Sequence, residues 1–272
     1  MAYEMILTEV HGMVGVLKYN RPSRLNALHP VMRRERYDQI SEWNADPNIG
    51  AIVVTGEGRA FCAGADVGEW KRDVAERGGY RGKPQPDEEN PIMRNPGAWT
   101  QFCMDSKPLI AAINGPVIGA GLSGILPFDV RVASERATLS MRFIRMGIFP
   151  ELGSTHLLPH IVGMGHSLEL MLTGRMIDGT EAARINLVNH VVPHEQLMDK
   201  AMEIAREIAF NPLEHTRGVK EVAWQNLVEP DLGEVQKLEG KWLGKTRSSA
   251  AFKEAVNAFL EKREADFHNQ AE

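Results

Sequence analysis

Cysteine is scarce in this chain: its 272 residues include only Cys62 and Cys103. That count excludes a disulfide framework and points to a reducing compartment, the cytoplasm. Neither cysteine has a CxxC partner, and both read as small buried apolar residues. Reactivity stays open only for Cys62, which lies in a segment singled out below. An excess of charge is missing too. Lys and Arg number 31, Asp and Glu 36, for a net charge of −5. Nothing in such a balance points to nucleic acid or an anionic membrane, although a local basic patch could still hold phosphates. There is no long hydrophobic run: the longest uncharged stretch, 108–128, is interrupted by Asn114, Pro116, Pro127 and four glycines. It reads as strand, turn and helix, not as a membrane span. The opening MAYEMILTEV has no basic segment leading into an apolar one, so no secretory leader is expected. No fixed-period repeat or low-complexity tract is present.

Apolar residues make up 43% and charged residues 25%, the balance of a globular chain long enough to bury its own core. Residues 3–20 alternate around His11-Gly12 as a hairpin, and 29–43 have helical spacing. Short β-branched runs at 50–56, 107–115, 128–134 and 137–141 read as strands. With helices between them, the class is α/β. Residues 74–96 are rich in Gly, Pro and charge and read as a long loop, either functional or a plain surface excursion. Beyond about 194 the strand signal fades. EQLMDKAMEIAREIAF, GVKEVAWQNLV and SSAAFKEAVNAFLEKREADF read as amphipathic helices. The expected division is an α/β core over 1–195 and a helical region over 196–272, packed on the core or on another subunit.

The stretch IGAGLSGIL (118–126) spells G-x-G-x-x-G through Gly119, Gly121 and Gly124. In a dinucleotide-binding unit that turn follows the first strand, and an acidic residue comes about 20 residues later. Here three strand signals precede it, and the count lands near Leu139 in ATLSMRF, which has no acid. An NAD site is therefore not expected. A glycine turn that opens a helix also points free backbone N–H groups at one spot, where an anion or a developing oxyanion can sit. GEGRAFCAGADVGEW (56–70) makes a second such offer: a strand, the small residues Ala63, Gly64 and Ala65, then Asp66 where a helix begins. Two such turns can aim two N–H groups at one carbonyl oxygen.

NRPSRLNAL (20–28), GRAFCAGADV (58–67), INGPVIGAGLSGILPFDVRVAS (113–134), GIFPELGSTHLLPHIVG (147–163), LTGRMIDGTEAARINLVNHVV (172–192) and FLEKREADF (259–267) occur in that order. Together they resemble the crotonase superfamily, the enoyl-CoA hydratase/isomerase family, almost end to end. The resemblance implies a spiral of ββα units with a C-terminal helical trimerisation region, the trimers often paired into hexamers. It implies an acyl-CoA thioester substrate, no cofactor beyond the coenzyme A that the substrate carries, and no metal. Its oxyanion donors would be the N–H groups of Ala65 and Ala120. Gly64 and Gly119 shape those turns and, with Asp66 and Ser123 beside them, are expected on the substrate-binding side; Ser123 could orient a water or hydrogen-bond the substrate, or only pack its helix. The 20–28 segment with Arg24 and Leu28, the Ala63 backbone, Lys262 and Phe267 match the parts that hold coenzyme A. Lys262 could serve a neighbouring subunit, Arg24 or Lys262 could instead be solvated surface charges, and Phe267 could equally be an ordinary apolar tail anchor.

Hydratases of this family hold water between two glutamates. The positions that match are Ser123 and about Phe143, and neither is acidic. Glu151, in FPELGS, matches the carboxylate that enoyl-CoA isomerases carry after the proline. A carboxylate set against apolar groups can shuttle protons, and one alone suffices for a double-bond shift. The expectation is thus an acyl-CoA enzyme, isomerase before hydratase, with Glu151 as base and acid. A hydratase, a thioester hydrolase and a non-catalytic acyl-CoA-binding protein remain alternatives. His156 and His160 share a helical face without a third ligand, so no metal site is expected there. Asp66 reads first as a helix cap, and Asp129 as a structural tie.

Overall fold

The computed structural model describes residues 3–68, 70, 71, 75 and 97–268. The loop expected over 74–96 lies, apart from Ala75, outside the described residues. The β-branched runs alternate between two cores. In β3 (Ala51–Gly56), Ile52 and Val54 point into one apolar cluster and Ala51 and Val53 into the other. In β4 (Leu109–Ile113), Leu109, Ala111 and Ile113 face the first while Ile110 and Ala112 face the second. Strands buried on both faces read as unbroken apolar runs, as these do.

The hairpin β1 (Ile6–His11) and β2 (Val14–Tyr19) is antiparallel, and His11 pairs with Val14 across the turn. Parallel pairing then carries the sheet through β3, β4, β6 (Val130–Ser134) and β9 (His190–Val192), in the order β1-β2-β3-β4-β6-β9. A second sheet holds three short strands, β5 (Val117–Ile118), β7 (Thr138–Ser140) and β8 (Ile177–Asp178), in the order β5-β7-β8.

The helices are α1 (Pro30–Ala45), α2 (Ala98–Asp105), α3 (Ala120–Ser123), α4 (Ser154–Thr173), α5 (Gly179–Arg184), α6 (Leu197–Phe210), α7 (Leu213–Asn226), α8 (Leu232–Arg247) and α9 (Ala250–Glu261). Helix α6, on the C-terminal side of the boundary read from sequence, covers the second core cluster. Leu197, Ala201, Ala205 and Ala209 recur every fourth residue and lie on Val14, Val16, Val53 and Ile110. Small side chains on that stripe let helix and sheet approach closely: a Cβ on Gly50 would fall 2.7 Å from that of Ala209.

Asp129 is the expected tie. Its Oδ2 accepts the Leu109 N–H at 2.7 Å and the Lys220 Nζ at 2.8 Å, joining β4 to α7. SSAAFKEAVNAFLEKREADF is helical only to Glu261, where Lys262 takes a left-handed conformation (φ 55°) and ends α9. The tail then folds back, and Phe267 stacks edge-on against Phe210 of α6, ring centroids 5.8 Å apart. No helix among the described residues is long and apolar enough to cross a membrane.

Candidate active site

The two small-residue turns lie side by side. Cys62 and Val117 form an isolated parallel bridge, and the Ile118 N–H donates to the Cys62 carbonyl at 3.0 Å. There is no room for larger residues between them. A Cβ on Gly64 would sit 2.7 Å from the Ile118 oxygen and 3.6 Å from the Ala120 nitrogen, and one on Gly121 would sit 2.5 Å from the Cys62 oxygen.

The direction of the N–H groups follows from what the neighbouring carbonyls do. In a trans peptide the C=O and the following N–H point opposite ways. The Gly64 carbonyl accepts from Leu28 N at 2.8 Å, which turns the Ala65 N–H away from Leu28. The Gly119 carbonyl accepts from Ser123 N at 2.9 Å, which turns the Ala120 N–H out of the start of α3. Among the described residues neither N–H has a backbone acceptor, whereas those of Ala63 and Gly119 are bonded to Leu25 and Ser140. Ala120 is not among the residues with positive φ, so an alanine fits there without strain.

Both donors line one cavity of about 560 Å³. Ala63, Gly64 and Gly119 line it with them. Val67, Trp70, Phe143 and Phe149 make apolar walls, and Glu151 and Arg142 also line it. Among the described lining residues Glu151 is the only carboxylate. It is exposed rather than lodged among apolar groups, although Phe149 beside it is apolar. Its backbone turn is constrained: Leu152 (φ 58°) and Gly153 (φ 71°) are consecutive left-handed residues before α4.

The other sequence candidates lie elsewhere. Ser123 does not line the cavity; it is fully buried in α3, its Oγ without a partner among the described residues. Phe143 is buried and lines the cavity with carbon. Asp66 lies outside the lining. It caps the segment after it through Gly68 N (3.1 Å) and pairs with Arg21 Nη2 at 2.9 Å. Burial alone would raise its pKa, but the Arg21 hydrogen bond and charge, with the Gly68 N–H, outweigh that and hold the carboxyl below its usual range. Leu28 is buried, bridged to Ala65. Arg24 is exposed at the end of a 3-10 turn, and Lys262 and Phe267 lie at the C-terminal end; none of the three lines the cavity. Burial pushes the Cys62 thiol up to about 11, so it stays a neutral packing residue at pH 7. His160 Nδ1 meets the His156 carbonyl at 2.8 Å on an exposed helix face.

Sequence reasoning missed the supports behind the first turn. Arg21 also donates to the Ala27 carbonyl, and Asn26, itself left-handed, accepts from Arg21 N at 2.8 Å and donates to the carbonyls of Glu57 and Ala60. A left-handed non-glycine is often Asn, which was the one available signal for it.

The profile of one protein family, Enoyl-CoA hydratase/isomerase, matches residues 9–270. A Rhizobium meliloti protein named "Probable enoyl-CoA hydratase" is 34% identical over 271 residues, covering 99% of this chain and 100% of that one. A short-chain-enoyl-CoA hydratase of Clostridium acetobutylicum is 33% identical over 262 residues, 96% of each chain. The crystal structure of an enoyl-CoA hydratase from Bacillus anthracis superposes with a TM-score of 0.87 at 29% identity, covering 98% of this chain and 100% of that one.

Proposed function

This chain belongs to the enoyl-CoA hydratase/isomerase family, and within it we propose that the protein moves a double bond of an acyl-CoA from the 3,4 to the 2,3 position, with Glu151 as the only proton carrier. The thioester oxygen sits between the Ala65 and Ala120 N–H groups. The Glu151 carboxylate takes a proton from C2. The C–H electron pair becomes the C1=C2 bond of an enolate, whose negative oxygen the two N–H groups hold. The enolate pair then returns to form C2=C3, the former C3=C4 pair takes the proton at C4 from the Glu151 carboxylic acid, and the base is regenerated. No cofactor is needed beyond the coenzyme A of the substrate.

The observation that carries this reading is the cavity lined by Ala65 and Ala120, whose N–H groups have no backbone acceptor among the described residues, and by Glu151, the only carboxylate among its described lining residues; the family resemblance adds that serine and phenylalanine stand at the positions of a hydratase's two acids. Arg24, Leu28, Ala63, Lys262 and Phe267 are proposed as the coenzyme A side of the site, Gly64 and Gly119 as its turns, with Asp66 and Ser123 as supports. The cytoplasm is the proposed compartment, in keeping with two free buried thiols.

Hydration is the second reading, because the named relatives are hydratases. Turnover of a 3-enoyl-CoA and of a 2-enoyl-CoA of equal length separates the two. Isomerisation of the first, with hydration of the second slower by at least about tenfold, is the expected result. Faster hydration would make the protein a hydratase. Release of free coenzyme A would make it a hydrolase, and thioester binding without turnover a non-catalytic acyl-CoA-binding protein.

A homotrimer or dimer of trimers built through the 196–272 helices is proposed on the apolar side chains these helices leave in water. Phe259 is 83% and Leu260 73% exposed, and Val219, Leu232 and Leu243 are exposed as well. Sedimentation velocity should give a mass of three or six chains, and a single-chain mass would refute the assembly.

A further inference from the structure

The two halves of the proposed site come from distant segments, and consecutive residues of α2 reach both. Trp99 Nε1 donates to the Gly124 carbonyl at 2.8 Å, at the end of the helix that begins with Ala120. Thr100 Oγ1 donates to the Leu152 carbonyl at 2.9 Å, one residue after Glu151. The Trp99 ring is fixed in turn. It is fully buried, with the Arg36 guanidinium 3.7 Å over it and Phe102 at 5.7 Å.

Leu152 is the residue that needs holding. A leucine at φ 58° is strained, and such a conformation persists only where its surroundings enforce it. Thr100 also lies against the next residue: a Cβ on Gly153 would meet its Cγ2 at 3.6 Å. From this we infer that Thr100 is a positioning residue, whose hydroxyl fixes the left-handed Leu152 turn and so aims Glu151 at the substrate carbons opposite the Ala65 and Ala120 N–H groups. Through α2, the alignment of the proton carrier is referred to the same helix that anchors the second oxyanion donor. The inference rests on Glu151 being the proton carrier.

Thr100→Val removes the hydroxyl and keeps the shape, and Thr100→Ser keeps the hydroxyl and removes a methyl. With a 3-enoyl-CoA as substrate, Thr100→Val should lower kcat by about 10- to 100-fold, because a misplacement of about 1 Å costs that much in a proton transfer. KM should stay within about twofold, since Thr100 does not line the cavity. Thr100→Ser should stay within about threefold of wild type in kcat. A role in packing alone would spare kcat in folded Thr100→Val or impair both variants alike, and either result overturns the inference. If Thr100→Val does not fold, Thr100→Ala against Thr100→Ser makes the same comparison. Glu151→Gln in the same assay separates the two levels. If it is inactive while Thr100→Val is unimpaired, only the positioning role falls. If it is fully active, the reading of Glu151 itself falls.

Discussion

Replacing Glu151 by glutamine should lower kcat for 3-enoyl-CoA isomerisation by about 10²- to 10⁴-fold, the usual worth of a positioned acid–base group, with little change in KM or in thermal stability. The amide is nearly isosteric with the carboxylate but cannot accept the C2 proton. Stability should not respond because the side chain is exposed and no hydrogen bond or ion pair ties it to a described residue. Oxyanion donors alone still polarise the thioester, so binding and some residual rate should survive. The decisive measurement is kcat for the two enoyl-CoA isomers by wild type and variant under saturating substrate. Parallel loss on the 3-enoyl substrate supports a single carboxylate serving both C2 and C4. If the variant isomerises at the wild-type rate, another group carries the proton and the proposed mechanism is wrong. If wild type mainly hydrates the 2-enoyl substrate and the variant is silent there too, Glu151 works on water instead of on carbon.

Much of the α/β frame was readable because its strands bury both faces. An uninterrupted run such as AIVVTG has few other solutions, and its boundaries in the structure differ from the sequence reading by one residue. The second sheet left less trace. Two strands of two residues and one of three cannot show a period, so β8 passed unread; in the first sheet the three-residue β9 was read only as part of a family motif. Helix α8 was missed because Gly233, Gly240 and Gly244 interrupt a mostly polar stretch with low intrinsic helix propensity. In the site, what sequence shows is local: two small-residue turns, each after a strand, and one Glu after Pro150. What it hides is long-range pairing. Arg21 meets Asp66 from 45 residues away and Thr100 meets Leu152 from 52. Nothing in the composition of either partner announces the other. The resemblance to a known family singled out Glu151 through its neighbours in sequence, but could not say that Glu151 stands exposed next to a left-handed turn.

Gly64→Ala is the second change with a large expected effect, and it tests the proposed oxyanion donors where Glu151→Gln tests the proposed base. Gly64 has φ +92°, a conformation alanine strains to adopt, and its new Cβ would press on the Ile118 oxygen at 2.7 Å, a backbone atom that cannot swing aside. Strain and overpacking together should destabilise the protein by about 2–5 kcal/mol. That is within the roughly 5–15 kcal/mol by which such chains are stable, so folded protein should remain. The catalytic loss should exceed the structural one. Any relief of the contact parts the 60–65 turn from the 117–120 turn, or twists the peptide whose carbonyl is held by Leu28 and whose N–H is that of Ala65. Misaligning one oxyanion donor lowers kcat by about 10²- to 10³-fold. Ala120→Gly is the contrast. It keeps the N–H, and the residue has no positive φ to maintain, so kcat should stay within about threefold. The test is kcat for both variants at a temperature where circular dichroism shows each to be folded. A folded Gly64→Ala with wild-type kcat would mean that the Ala65 N–H does not hold the reacting oxygen. A hundredfold loss in Ala120→Gly would mean that the alanine methyl, and not only its backbone, shapes the site.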